Sequence, residues 1–129
     1  MGLRDDAEKL IKEGRAAAAE AARIYRDEVL AGVPNAITRW CSEALDMSAF
    51  ESYTVLNDYW KSEETYQWYV VEVEFQLEDI TFYGYVQAYD RSTIGRLDQV
   101  RVRKPGGFPG PFVTNKETLA KALEFHEKW

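Results

Sequence analysis

The sequence predicts an α+β fold with two N-terminal helices, a four-stranded antiparallel meander sheet and one C-terminal helix. Two observations carry this prediction. Apolar residues recur at helical spacing through residues 3–45, and four segments rich in β-branched and aromatic residues then follow without a helix between them. Strands in uninterrupted succession favour antiparallel pairing between neighbours, with the helices together on one face. A chain of 129 residues matches the size of a single domain, 1–129.

Two helices are predicted at the start of the chain. The first covers Leu3–Ala31, and its alanine-rich middle, residues 15–22, should allow a close approach to the sheet or to another helix. Gly32 and Pro34 are expected to end this helix, since glycine closes helices and proline interrupts them. The second helix presents a single apolar face, which consists of Ile37, Trp40, Cys41, Ala44 and Leu45.

Four strands are predicted at residues 50–60, 65–77, 80–89 and 97–104. A two-residue turn between the second and third strands places Val73 opposite Gly84 and gathers one apolar row under the helices. Because Gly84 has no side chain, we expect the alanine-rich helix to pack closely against it. A four-residue loop before the second strand, residues 61–64, would turn three more residues to the opposite face of the sheet: Tyr53, Val55 and Tyr59.

The C-terminal part begins with a loop and ends with a helix. Glycine and proline at residues 105–111 are incompatible with a helix or a central strand. Phe108 in this loop either folds back onto the core or is presented to a partner. Thr114 and Glu117 form the pattern of a capping box for the last helix.

The face of the sheet turned away from the helices carries the main functional hypothesis. Strand alternation places large aromatic residues there, where a solvated sheet normally carries Thr, Lys, Glu and Ser. Arg101 and Arg103 should border them within cation–π distance, and this composition is typical of interface hot spots. Alternatively, the first helix or the 105–111 loop covers this face. The predicted partner-binding residues are Trp68, Tyr83, Tyr85, Tyr89, Arg101, Arg103 and Phe108.

Candidate catalytic groups are few. The chain has one cysteine, Cys41, and one histidine, His126, so the four N/S ligands of a structural metal site are not available within it. Both lie in apolar helical stripes, where a buried thiol and a half-buried imidazole are usual. Glu72 and Glu74 share one face of a strand, which suits either a pair of acids or two solvated charges. We predict no catalytic residue, no metal and no cofactor, and lean against an enzyme.

Charge and hydropathy restrict the partners. The net charge is −6, and residues 33–64 carry 2 basic against 6 acidic side chains, which argues against a nucleic-acid partner. No apolar run approaches the roughly 20 residues that span a bilayer, so no membrane partner is expected. A charged start without a signal-peptide core, together with a lone cysteine, predicts a cytoplasmic protein.

Two functional hypotheses remain open. In the first, the chain is a non-enzymatic interaction module that binds a protein partner or itself, and in size and style it resembles inhibitors, immunity proteins and phage accessory proteins. In the second, residues 3–104 resemble the cystatin-like and NTF2-like folds in the order of their elements. That resemblance implies an apolar pocket between sheet and helices, with Asp58 or Glu72 as an acid or base.

Overall fold

The computed structural model describes residues 2–102 and 110–128 and confirms the predicted fold class. The described elements are α1 (Leu3–Ala31), α2 (Val33–Leu45), β1 (Ser52–Glu63), β2 (Tyr66–Leu77), β3 (Ile80–Ala88), β4 (Leu97–Val102) and α3 (Lys116–Lys128). The strands form one antiparallel sheet in the order β1-β2-β3-β4. The helices supply the second layer, which covers one face of this meander.

The β2–β3 hairpin has the predicted register. Val73 lies opposite Gly84 and Phe75 opposite Phe82, across a two-residue turn. Trp40 of α2 packs on the last two rings, with centroid distances of 5.6 Å to Phe75 and 5.5 Å to Phe82. The hairpin residues buried on this side of the sheet are Tyr69, Val71, Val73, Phe75, Leu77, Phe82, Val86 and Ala88. This row forms the sheet side of the core, and the half-buried Trp40 packs against it from α2.

Gly84 is buried as predicted, but it packs against β4 and not against the alanine-rich part of α1. Opposite Gly84, β4 has a bulge, at which Gln99 adopts a φ of 53°. A Cβ atom on Gly84 would lie 3.1 Å from a methyl carbon of Val100 and 3.3 Å from the carbonyl oxygen of Asp98. Any larger side chain at this position must therefore displace β4.

We expect Gly84→Val to lower the free energy of unfolding by about 1–3 kcal/mol through overpacking against β4. Urea denaturation of both proteins measures this loss. Thr81→Val, on the same strand but at a half-buried position, is the control and should change stability little. Equal stability of Gly84→Val and wild type would contradict the position of β4 over Gly84.

The prediction that the alanine-rich part of α1 packs on the sheet or on another helix is wrong for the described chain. Residues 3–21 are all exposed, and Leu3 and Leu10 are 89% and 69% exposed. Contact with the sheet begins near Tyr25, whose ring stacks on Trp60 with 6.0 Å between centroids. The alanine methyl groups bury little area, so the larger side chains of the last turns determine where α1 is attached.

Polar contacts attach the same end of α1 to the sheet. Arg26 Nε donates to the hydroxyl of Tyr69 at 3.0 Å and lies 3.2 Å from Oδ2 of Asp58. The Tyr25 hydroxyl donates to the carbonyl oxygen of Ala88 at 2.9 Å. Only one residue, Gly32, separates α1 from α2. The N-terminal part of α1 therefore makes no contribution to the buried core.

Deletion of residues 2–20 should lower the free energy of unfolding by less than about 1 kcal/mol, because exposed positions contribute little to stability. Chemical denaturation of the full chain and of the truncated chain, each at two protein concentrations, measures the difference. A loss of several kcal/mol that grows with protein concentration would show instead that α1 is buried in an oligomer.

The turn of the first hairpin differs from the prediction. Glu63 pairs with Tyr66 across a two-residue turn, where we expected a four-residue loop at residues 61–64. Tyr59 pairs with Val70 and faces away from the helices, as predicted. The short turn also brings Glu63 onto the same face as Tyr66, because directly paired residues share a face of the sheet.

A bulge at Leu56 shifts the alternation of β1, so the residues before it face the opposite side from the one that regular alternation predicts. Tyr53 pairs with Phe75 and Val55 with Val73, so both face the helices. The prediction that they lie on the opposite face is therefore wrong. One extra residue shifts the alternation by one position, and this turns every later side chain to the other face.

The helix ends also differ in detail from the prediction. α2 already begins at Val33, with Pro34 in its first turn. Proline is tolerated there because backbone N–H groups in the first turn of a helix have no partner within the helix. Asn115, and not Thr114, caps α3, since its Oδ1 accepts a hydrogen bond of 2.8 Å from the backbone amide of Thr118.

Candidate functional site

The face of the sheet turned away from the helices is rich in aromatic side chains, as predicted from strand alternation. We call it the aromatic face and define it by Tyr59, Tyr66, Trp68, Val70, Tyr83 and Tyr85 of the strands, with Tyr89, whose ring packs on Tyr66 and Trp68. Trp68 and Val70 are buried but do not belong to the core under the helices. The sheet thus has packed side chains on both faces, and the helices cover only one of them.

Neighbouring side chains of the aromatic face pack against one another. Trp68 is only 7% exposed, and Tyr83 and Tyr85 are half-buried. Exposure is concentrated at one end of the face, where Tyr66 is 48% and Tyr89 is 41% exposed. Among the predicted binding residues on this face, Tyr89 is therefore the most accessible. Tyr66 was not among them, although strand alternation already placed it on the same face.

A hydrogen-bonded network occupies the centre of the aromatic face. The Tyr83 hydroxyl donates to Oε1 of Glu72 at 2.8 Å and lies 3.1 Å from the hydroxyl of Tyr85. Burial, together with these two neighbours, raises the pKa of Tyr83 above its ordinary value, so the phenol stays neutral at physiological pH. The carboxylate of Glu72 therefore orients the Tyr83 hydroxyl. This hydrogen bond does not support the alternative in which Glu72 and Glu74 act together as a pair of acids.

Three rings pack together at the exposed end, and we call Tyr66, Trp68 and Tyr89 the aromatic cluster. The centroid of Trp68 lies 6.0 Å from that of Tyr66 and 5.2 Å from that of Tyr89. The Tyr66 hydroxyl donates to the carbonyl oxygen of Tyr89, while Trp68 Nε1 and the Tyr89 hydroxyl lie 3.3 and 3.1 Å from Oε1 of Gln87. Hydrogen bonds to the protein therefore orient all three rings.

Charged side chains surround the aromatic cluster. An open cleft of about 410 Å³ is lined by the residues of the cluster together with Glu63 and Glu64. Lys61 Nζ lies 5.8 Å from the centroid of the Trp68 ring, within cation–π distance. Glu64 occupies the turn with a φ of 53°, a left-handed conformation. The cluster thus combines apolar ring surface with adjacent acidic groups.

Arg101 does not interact with the tyrosines in the way we predicted. Its register partner is Tyr83, but its guanidinium carbon lies 4.3 Å from the ring centroid of Phe112. Phe112 reaches this position because residues after the loop bridge to β4, and the backbone amide of Val113 donates to the carbonyl oxygen of Val100 at 2.7 Å. The other two predicted binding residues, Arg103 and Phe108, lie outside the described residues.

The candidate catalytic groups are buried or hydrogen-bonded to other groups of the chain. Cys41 is buried in α2, and burial raises the pKa of its thiol from 9.0 to about 11. His126 Nε2 donates to the carbonyl oxygen of Val102 at 2.9 Å. Asp58 accepts a hydrogen bond from the Tyr69 hydroxyl on the helix side, whereas Glu72 lies on the aromatic face. Asp58 and Glu72 are therefore separated by the sheet.

We expect the Cys41 thiol to react with a disulfide reagent at pH 8 about a hundredfold more slowly in the folded chain than in urea. Burial hides the sulfur from the reagent, and the pKa of about 11 that burial causes keeps the thiol protonated at pH 8. The absorbance of the released thiol measures the rate. Rapid labelling of the folded chain would contradict the packing of α2 on the core.

Two further searches concern only residues 2–102 and 110–128. In this part of the chain, no three His, Cys, Asp or Glu side chains are grouped as a metal site would require. None of the described helices combines the length and the hydrophobicity needed to cross a membrane.

No known protein family, curated protein or solved structure matches this chain. The chemistry of the aromatic face is therefore the basis for any statement about function.

Proposed function

We propose that this chain is a non-enzymatic protein-interaction module that binds a partner protein through the aromatic face. The observation that carries the proposal is the aromatic cluster. Tyr66 and Tyr89 are 48% and 41% exposed, and hydrogen bonds orient their rings. Aromatic side chains that are ordered before binding lose little conformational freedom when a partner covers them. Such residues are the commonest hot spots of protein interfaces.

The charge of the aromatic face supports a basic partner in preference to a second copy of this chain. Among the described residues, the register places two basic residues on this face, Lys61 and Arg101. It places four acidic residues there: Glu63, Glu72, Glu74 and Asp98. A two-fold dimer would bring the same acidic surface together from both copies. A partner with Lys or Arg at its centre would complement it.

The alternative of a ligand pocket between sheet and helices has less support. Tyr69, Val73 and Phe75 fill the centre of that space and are at most 2% exposed. The contact of Trp40 with Phe75 closes the same layer from the side of α2. These contacts favour a solid core with a binding surface outside it.

α1 supports an interaction module independently of the sheet. Its exposed residues include Leu3, Leu10 and Ile11, which are 89%, 69% and 53% exposed. Large apolar side chains aligned on a part of a helix that does not contact the core of its own chain are typical of segments that contact other molecules. An inhibitor or an immunity protein would act through surfaces of this kind, without chemistry of its own.

The double variant Tyr66→Ala with Tyr89→Ala should fold normally and lose partner binding. Both side chains are exposed, so the melting temperature should stay within a few degrees of wild type. Loss of two aromatic hot spots should weaken binding by about 30-fold or more. The measurement is capture from extracts of the source cell, followed by isothermal titration with the purified partner.

The matched control is Tyr53→Ala with Leu56→Ala, since these side chains are 41% and 42% exposed on β1. This control should bind like wild type. Equal capture by both double variants would contradict a role for the aromatic face. Light scattering of the free chain provides a second check, because a dimer that only the Tyr66 and Tyr89 changes dissociate would identify a second copy as the partner.

A further inference from the structure

We infer that the cleft beside the aromatic cluster is a subsite for a cationic side chain of the partner, with arginine preferred over lysine. The inference deepens the proposed function and rests on it. Three aromatic and two acidic residues line the cleft: Glu63, Glu64, Tyr66, Trp68 and Tyr89. A ring face attracts a cation through its quadrupole, and a carboxylate attracts it through its charge. Both attractions are available at the same point of the surface.

The position of Glu63 beside Tyr66 is determined by the backbone. The two residues are direct partners across the turn, so their side chains leave the sheet on the same face. Cβ atoms of direct partners are about 4.5–5.5 Å apart, which lets one group contact both the ring and the carboxylate. Glu64 follows in the turn and also lines the cleft.

Lys61 shows that a cation is compatible with this cluster. Its Nζ lies 5.8 Å from the ring centroid of Trp68, on the same face of the sheet. Lys61 brings one positive charge to this cluster, against two negative charges from Glu63 and Glu64. The cleft therefore retains a net negative charge next to exposed ring surface. An incoming cation would compete with Lys61 for Trp68 but not for the exposed ring of Tyr66.

Arginine fits this arrangement better than lysine. Its planar guanidinium stacks on an aromatic ring and can at the same time donate two hydrogen bonds to a carboxylate. The cleft of about 410 Å³ far exceeds the roughly 30 Å³ that one water molecule occupies in the liquid, so the end of a long side chain can enter it.

The test uses four blocked tripeptides, acetyl-Gly-Xaa-Gly-amide, in which Xaa is Arg, Lys, norleucine or Glu. Binding is followed by nuclear magnetic resonance of the tryptophan indole N–H groups, and Trp68→Phe identifies the signal of Trp68. The other three tryptophans are internal controls. The Arg peptide should shift the Trp68 signal and bind about tenfold more tightly than the norleucine peptide, with affinity that falls as salt is added.

Charge-neutral variants locate the subsite. Glu63→Gln with Glu64→Gln should weaken binding of the Arg peptide by about fivefold, whereas Glu8→Gln with Glu13→Gln on α1 should leave it unchanged. Lys61→Ala removes the competing cation and should strengthen binding by about twofold. Circular dichroism of each variant confirms that it is folded.

The inference is overturned if the norleucine peptide binds as tightly as the Arg peptide, or if the Glu63 and Glu64 changes have no effect. It is also overturned if the Trp68 signal does not move at peptide concentrations of about 50 mM. Capture of the whole partner by wild type and by the Tyr66 and Tyr89 variant separates these results from failure of the proposed function. If wild type still captures the partner and the Tyr66 and Tyr89 variant does not, the interaction module stands and only the cationic subsite is rejected.

Discussion

The structure depends on the pairing of β2 with β3, because this register assigns residues to two different packed faces at once. Tyr69, Val71, Val73 and Phe75 of β2 fill the core under the helices, while Trp68 and Val70 support the aromatic face. A slip by one residue would exchange the two sets and expose the core row. The same pairing therefore maintains both the stability of the domain and the surface that we propose for binding.

Two bulges adapt the outer strands to this central hairpin. Trp60, which stacks on Tyr25 of α1, and Tyr53 both face the helices. They are seven residues apart, so a regular strand would place them on opposite faces, and the extra residue at the Leu56 bulge places them on the same face. The bulge opposite Gly84 brings β4 close to β3 at the one position without a side chain. Bulges change the direction of side chains without ending a strand, which is why both edges continue past them.

The proposed function follows from how the aromatic face is ordered. Hydrogen bonds within the chain orient its phenol and indole groups, and the exposed ring surface is that of Tyr66 and Tyr89. Carboxylates lie beside this surface, whereas the guanidinium of Arg101 covers Phe112. The face thus offers apolar area with an acidic border, and this composition is the basis of the proposed recognition of a basic protein surface.

Local patterns in the sequence determined the fold class, the extent of α1 and the β2–β3 register, because each follows from periodicity and turn length alone. The same alternation placed four aromatic residues on one face: Trp68, Tyr83, Tyr85 and Tyr89. Tertiary structure decided the rest. An added residue at Leu56 leaves no mark in composition, so the facing of Tyr53 and Val55 could not be read from alternation. The position of Arg101 over Phe112 requires a bridge between distant segments. The alanine-rich part of α1 has the pattern of a packed helix, but no neighbouring element of the described chain reaches it, and only the three-dimensional arrangement of elements determines such a contact.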